Sequence, residues 1–310
     1  MHPGPDSLPR VVAVVGPTAS GKSDLAVVLA QALGGEVVNA DSMQLYRGMD
    51  VGTAKLTEVE RHGVPHHLLD VWDVTETASV ADYQQRARAV VDDLRASGRT
   101  PVLVGGSGLY VRAVLDHLEF PGTDPAVRAR LEAELETDGP AVLHARLGVL
   151  DPQAAQAILP TNGRRIVRAL EVVEITGRPF TATLPEQRDV YPSVQIGLDV
   201  PRPVLDARID ARVERMWAQG LVDEVRRLEA VGLRDGVTAS RALGYAQVLR
   251  MLDGELTEPE AVEDTARTTR RFARRQDTWF RRDARITWLP HDTKDLTTEA
   301  LEAATRAALS

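Results

Sequence analysis

The stretch Gly16-Pro17-Thr18-Ala19-Ser20-Gly21-Lys22-Ser23 constrains this chain more than any other. It follows the spacing G-x-x-x-x-G-K-[ST] and lies between an apolar run, Arg10 to Gly16, and a segment of helical spacing, Ser20 to Leu33. An unbroken valine-rich run closed by glycine is the pattern of a strand buried on both faces. Leu25, Val28, Leu29 and Leu33 mark the helix, and Gly34-Gly35 supplies its C-cap. In that context a glycine-rich loop bends around phosphate, its N–H groups turned inward at the positive end of a helix. Lys22 adds a full charge, and the Ser23 hydroxyl can ligate Mg²⁺. Lysine is scarce here, with Lys22, Lys55 and Lys294 set against thirty-four arginines, so a lysine kept in this loop points to use. The loop implies a bound di- or triphosphate; a glycine-rich turn without a ligand is the alternative reading.

Further strands alternate with helices in the same half of the chain. Glu36 to Ala40 is a second short strand, Tyr83 to Ser97 an amphipathic helix, and Pro101 to Val104 a third buried strand ending at Gly105-Gly106. This order predicts an α/β fold with a parallel sheet, a P-loop NTPase-like core. From about Asp124 strand candidates vanish. Asp124 to Glu136, Gly139 to Leu147, Asp151 to Ile158 and Gly163 to Ile175 have helical spacing, punctuated by Pro140, Pro152, Pro160 and Pro179. An all-helical subdomain, residues 121–191, is therefore expected as an insertion between core segments 10–120 and 192–310. Beyond it come a strand at Val194 to Val200 and helices at Val204 to Gln219, Val222 to Ala230 and Ser240 to Leu252. A long helix from about Glu258 to Arg285, a strand at Ile286 to Leu289 and a closing helix complete the chain.

Composition excludes several classes. Cysteine is absent, which removes disulfides, a thiol nucleophile, iron–sulfur clusters and cysteine-containing zinc sites. The net charge of −8 argues against a protein that coats nucleic acid indiscriminately, though not against a local basic surface. No stretch approaches the roughly 18 apolar residues of a membrane span, and Met1 to Arg10 lacks the layout of a signal peptide. A cytoplasmic protein without membrane contact is expected.

An ordinary nucleotide hydrolase or kinase needs a second acid at the end of another strand to hold Mg²⁺. Val102-Leu103-Val104 instead runs into Gly105-Gly106-Ser107-Gly108, and Asp70 follows a run too short and polar to serve. The second strand leads directly into Asp41, with Ser42, Met43 and Gln44 behind it. Residues at that strand end face the crevice of the phosphate loop, so Asp41 is placed to act as a general base and Gln44 to reach the same space. Capping of a turn is the alternative for Asp41.

Together these residues resemble the bacterial tRNA dimethylallyltransferases. The likeness is carried by Gly16–Ser23, by Asp41-Ser-Met-Gln44-Leu-Tyr-Arg-Gly-Met-Asp50 with Gly52-Thr-Ala-Lys55, and by Gly105-Gly-Ser-Gly-Leu-Tyr110. Arg164-Arg-Ile-Val-Arg-Ala-Leu-Glu171, Ala242-Leu-Gly-Tyr245 and Arg274-Arg-Gln-Asp-Thr-Trp-Phe-Arg281 extend it over residues 10 to 290. Asn162-Gly163 departs from the Asn-Asp often found in that family. The resemblance implies transfer of a dimethylallyl group from dimethylallyl diphosphate to N6 of the adenosine 3′-adjacent to the anticodon, adenosine-37. Asp41 would be the base, and Lys22, Ser23 with Mg²⁺, and Arg212 would steady the leaving diphosphate. Ser107 would touch the substrate base. Asp41, Ser42, Met43, Gln44, Ser107, Arg128, Arg164, Arg165, Ile166, Val167, Arg168, Arg241, Arg274, Arg275, Gln276, Trp279 and Arg281 are implied tRNA contacts, in a monomer.

A basic stripe offers RNA a physical foothold despite the overall charge, with an ordinary solvated helix face as the alternative reading. Asp264 to Arg285 holds eight arginines against three aspartates, and Arg267, Arg271, Arg274, Arg281 and Arg285 recur near helical spacing. Trp279 and Phe280 lie within it, available for base stacking or for the core. Arg164, Arg165 and Arg168 form a second patch, so two basic surfaces could grip an anticodon stem while the target base is extruded. His66-His67 with Asp70 hints at a metal, but adjacent residues of an extended segment point to opposite faces. A small-molecule kinase and an RNA-binding protein with a vestigial loop remain as alternative classes.

Overall fold

The computed structural model describes residues 8–180 and 187–306. Met1 to Ser7, part of the expected insertion (181–186) and the end of the closing helix (307–310) lie outside the described residues. The first strand, β1 (Val11–Val15), is followed by α1 (Lys22–Ala32), β2 (Glu36–Asn39), β3 (His66–His67), α2 (Val80–Ala96), β4 (Pro101–Gly105) and α3 (Gly108–Leu115). Then come α4 (Pro125–Asp138), α5 (Pro140–Leu150), α6 (Pro152–Ala157) and α7 (Gly163–Thr176). The remainder is β5 (Ser193–Asp199), α8 (Arg202–Ala218), α9 (Leu221–Glu229), α10 (Tyr245–Leu252), α11 (Glu258–Phe280), β6 (Ile286–Pro290) and α12 (Leu296–Arg306).

All six strands pair in parallel, in the order β3-β2-β4-β1-β5-β6. β1 is central and buried along its whole length, because its alternate side chains enter two different cores. Val11, Ala13 and Val15 pack with Leu103, Tyr83 and Val111 on one face. Val12 and Val14 meet Leu25, Leu29 and Ala300 on the other. Apolar cover on both faces is what makes the strand sequence continuous rather than alternating. The strand order also sets the chemistry: the carboxyl ends of β1, β4 and β2 are neighbours, so three loops converge there.

Residues 117–188 form a separate compact unit. Its helices begin where short polar side chains or proline favour it, with Asp124, Asp151 and Asn162 each accepting a hydrogen bond from the first turn of α4, α6 and α7. Leu131, Leu143, Leu147, Ile158, Ile166, Val167 and Leu170 make its core.

Several boundaries differ from the sequence reading. The helix expected from Ser240 is a short 3₁₀ turn, Ala239–Arg241, followed by α10, because Gly244 at φ 87 interrupts the chain. The long helix stops at Phe280 rather than Arg285, since Asp283 turns back to pair with Arg285. The eight-residue α3 and the two-residue β3 were not expected; one lies within a glycine-rich motif, and the other has no apolar run.

Candidate active site

The phosphate loop joins β1 to α1 in the expected place. Ala19 takes φ 64, and the Gly21 N-cap has no side chain to satisfy the first-turn N–H groups of α1, so those donors are left for a ligand. Lys22 is buried, its Nζ 3.5 Å from Pro17 O. Burial lowers its pKa to about 8, an effect that Asp41 opposes and Arg212 reinforces. Ser20 Oγ is buried with no hydrogen-bond partner among the described residues.

Arg212, on α8, donates to Thr18 Oγ1 at 3.2 Å. Burial, then the charge of Arg215, lowers its pKa, and Asp24 and Asp41 partly counter that. One turn earlier, Arg208 donates to Ser20 O at 3.4 Å. The sequence reading missed Arg208, although four-residue spacing from Arg212 puts both on one helix face. Two cations, the buried Lys22 and the partly buried Arg212, thus face one loop, and the Asp41 carboxylate interacts electrostatically with both.

Asp41 follows β2 after Ala40. Its Oδ1 accepts from Met43 N at 3.1 Å, so the carboxylate caps the turn. Ser107, after β4, is the N-cap of α3, but its hydroxyl does not cap that helix. It bonds Ser42 instead, accepting from the N–H and donating to Oγ, both at 3.3 Å. Gln44 donates to Thr53 O at 3.1 Å, which ties it to the Asp50–Lys55 loop.

The glycines of the turn after β4 exist because other groups press on it. A β-carbon at Gly105 would collide with Ala40 O, at Gly106 with the Gln276 amide, and at Gly108 with the Trp279 ring. Gln276 of α11 is buried; it accepts from Thr18 N at 3.0 Å and donates to Gly106 O at 2.8 Å, bracing the phosphate loop against the turn. Gly16–Ser23, Asp41, Ser42, Ser107, Arg212 and Gln276 are therefore brought together.

The other expected RNA contacts are distributed elsewhere. Ile166 and Val167 lie in the core of the helical unit. Arg128 and Arg168 both pair with the fully buried Glu171, and Arg168 also donates to Pro121 O and Gly122 O. Arg164 and Arg165 are exposed at the start of α7, and Arg241 is exposed after α9. The stripe itself divides. Arg267 pairs with Asp264, Arg281 with Asp199 and Asp277 while stacking on Trp288, and Arg285 with Asp116, Asp189 and Asp283. Arg274, Arg275 and Arg282 have no acidic partner among the described residues, and with Thr278 and Trp279 they line a surface depression.

No group of three His, Asp or Glu side chains among the described residues could hold a metal. His67 bonds Glu36 Oε2 at 2.6 Å, and Asp70 pairs with Lys55 at 2.7 Å, so that trio is structural. None of the helices is long and apolar enough to cross a membrane among the described residues.

A parallel α/β sheet with a phosphate loop, and a carboxylate two strands away at the same sheet edge, define a P-loop protein whose neighbouring strand, β4, ends in glycine. The family model for IPP transferase matches residues 44–283. The chain belongs to this family and is a transferase. It is 72% identical over 295 residues to the tRNA dimethylallyltransferase of Thermobifida fusca, covering 94% of this chain and 92% of that one. With the tRNA dimethylallyltransferase of Streptomyces coelicolor it shares 71% identity, with 93% of each chain covered. Among solved structures, the tRNA isopentenylpyrophosphate transferase of Bacillus halodurans aligns at 44% identity and TM-score 0.71, over 96% of this chain and 95% of that one. A eukaryotic dimethylallyltransferase acting on tRNA aligns at 26% identity and TM-score 0.82, over 94% and 77%.

Proposed function

We propose that the protein transfers a dimethylallyl group from dimethylallyl diphosphate to N6 of adenosine-37 in tRNA, as a cytoplasmic monomer. The adenine N6 lone pair attacks the allylic C1, the C1–O bond breaks, and its electron pair leaves on the bridging oxygen of diphosphate. The N6 proton passes to Asp41. A mild base suffices, because the allylic carbon becomes electron-poor as diphosphate departs and the attacking nitrogen grows acidic. Lys22, Arg212 and the N–H groups of the loop are aimed at the negative charge that grows on the leaving group. Ser107, held on Ser42, would meet the target base.

Mg²⁺ fits the donor set. The Ser23 hydroxyl, a hard oxygen donor, adjoins the loop lysine, and substrate oxygens and water would complete the cation's shell. When bound, it would neutralise diphosphate charge. RNA would be gripped by the helical unit, through Arg164 and Arg165, and by the depression at Arg274, Arg275 and Trp279; Arg128 and Arg168, tied to Glu171, would set the shape of that unit.

The observation that supports this reading best is that β4 ends in glycine where a kinase would need a metal-holding acid, while Ser107 just beyond it is hydrogen-bonded to Ser42, next to the Asp41 carboxylate. Incubation with labelled dimethylallyl diphosphate, Mg²⁺ and unmodified tRNA should put label into RNA. Brisk ATP consumption without RNA, and no labelling, would overturn it. Asp41→Ala should abolish transfer while tRNA affinity stays within a few-fold, because the base acts mainly in the transition state.

A further inference from the structure

We propose that Asn39 is the positioning residue of Asp41, a role that rests on the reading of Asp41 as the base. Asn39 ends β2 and is 2% exposed, a poor place for an amide unless every polar atom is satisfied. Here they all are. Its Oδ1 accepts from Asp41 N at 2.9 Å, and its Nδ2 donates both to Asp41 O and to Leu68 O, each at 3.0 Å. One side chain thus holds the N–H and the carbonyl of the same neighbouring residue. The hydroxyl of Tyr83, itself buried, donates to Asn39 O at 2.9 Å and locks the clamp from below.

The third bond is maintained under strain. Leu68 adopts φ 61, a left-handed conformation that is unfavourable for a residue with a side chain. That conformation occurs at the residue whose carbonyl meets the Asn39 amide. With its backbone gripped at both polar groups, Asp41 has little freedom to swing. One carboxylate oxygen is occupied by Met43 N, and the carboxylate remains within reach of Lys22 and Arg212. A base that must meet a weakly nucleophilic amine gains most from being held in place, because small displacements of a reacting group cost large factors in rate.

The test separates positioning from simple stability. Asn39→Ala should lower kcat about 30-fold while KM for dimethylallyl diphosphate and the tRNA Kd stay within about threefold. Asn39→Ser, whose hydroxyl can still accept from Asp41 N, should recover most of that loss. In an Asp41→Asn background, followed by single-turnover label incorporation with enzyme in excess, adding Asn39→Ala should cost less than about threefold, because the clamp has no base left to aim. The same 30-fold cost in both backgrounds, or a parallel rise in KM and tRNA Kd, would show a structural role and overturn the proposal. Parent-like turnover of Asn39→Ala beside an inactive Asp41→Asn would refute the clamp alone; full turnover of Asp41→Asn would refute the base and the clamp with it. Should Asn39→Ala fail to fold, Tyr83→Phe removes only the bond to Asn39 O and should show the same selective fall in kcat, about fivefold; no fall would count against the clamp.

Discussion

At the residue scale Lys22 carries the clearest consequence. Its ammonium is buried beside Arg212, and burial brings its pKa from the ordinary 10.5 to about 8. The unfolded chain therefore binds more protons than the native one between about pH 8 and 10.5, so this group destabilises the free protein below pH 8, and that penalty fades as pH rises. A diphosphate in the loop reverses the preference and favours the charged lysine. Binding must then take up a proton above pH 8, and affinity should fall as pH rises. Between pH 7 and pH 9 a group of pKa about 8 predicts roughly tenfold weaker binding of dimethylallyl diphosphate. Calorimetry in buffers of different ionisation enthalpy should find about half a proton taken up at pH 8. Lys22→Arg should bind with no such uptake; an identical uptake in that variant would assign the proton to another group.

The loop lysine and Asp41 were legible in the sequence because a rigid spacing and a strand end fix where they go. Asn39 and Gln276 were not legible in these roles. A polar residue closing a strand, or one glutamine in a long arginine-rich helix, gives no periodic signal, and each acquires its meaning from groups distant in the chain: Leu68 and Tyr83 for the first, Thr18 and Gly106 for the second.

At the scale of elements, α9 explains how the loop behind Asp41 is held. Glu224 is 2% exposed and accepts from the N–H groups of Asp50, Val51 and Gly52, at 3.2, 2.8 and 3.1 Å, and from Tyr245 Oη at 2.5 Å. Burial and the nearby Glu224 carboxylate raise the Tyr245 pKa well above its ordinary value, so the hydroxyl stays a donor. One carboxylate on α9 thereby joins the 50–52 loop to the start of α10, and a β-carbon at Gly52 would strike the Tyr245 ring. Glu224→Ala leaves four donors without their acceptor and should destabilise the fold by about 3 kcal/mol or more. Tyr245→Phe keeps the ring and removes one bond, for about 1 kcal/mol. Denaturant unfolding of the two variants checks the order, and equal losses would refute it. Every strand but the two-residue β3, and the long helices, were recoverable from the apolar pattern, whereas the extents of α10 and α11 depended on a glycine at positive φ and an aspartate–arginine turn, which periodicity does not register.

For the whole molecule, a charge of −8 has to be reconciled with an anionic partner. The arginines are numerous, but half of the eight in the 264–285 segment are neutralised at home: Arg267, Arg270, Arg281 and Arg285 each pair with an aspartate. Such pairs contribute little to the field an approaching phosphate meets. Arg274, Arg275 and Arg282 are exposed, with no acidic partner among the described residues, and they surround Trp279 at one surface depression. Within about one Debye length, roughly 8 Å at physiological salt, three uncompensated cations dominate over the distributed negative charge. Replacing these three by alanine should therefore weaken tRNA binding and lower the slope of log K against log salt by about 2, close to 0.7–0.9 per lost phosphate contact. Arg285→Ala should behave differently. It removes the partner shared by Asp116, Asp189 and Asp283, leaving the fully buried Asp116 with Arg112 alone among the described ion pairs, so it should cost thermal stability while the salt slope stays nearly unchanged. Titrations at four or five salt concentrations decide the matter: if the triple variant keeps the parent slope and Arg285→Ala loses it, the RNA field originates in the paired arginines and the division of the stripe is wrong.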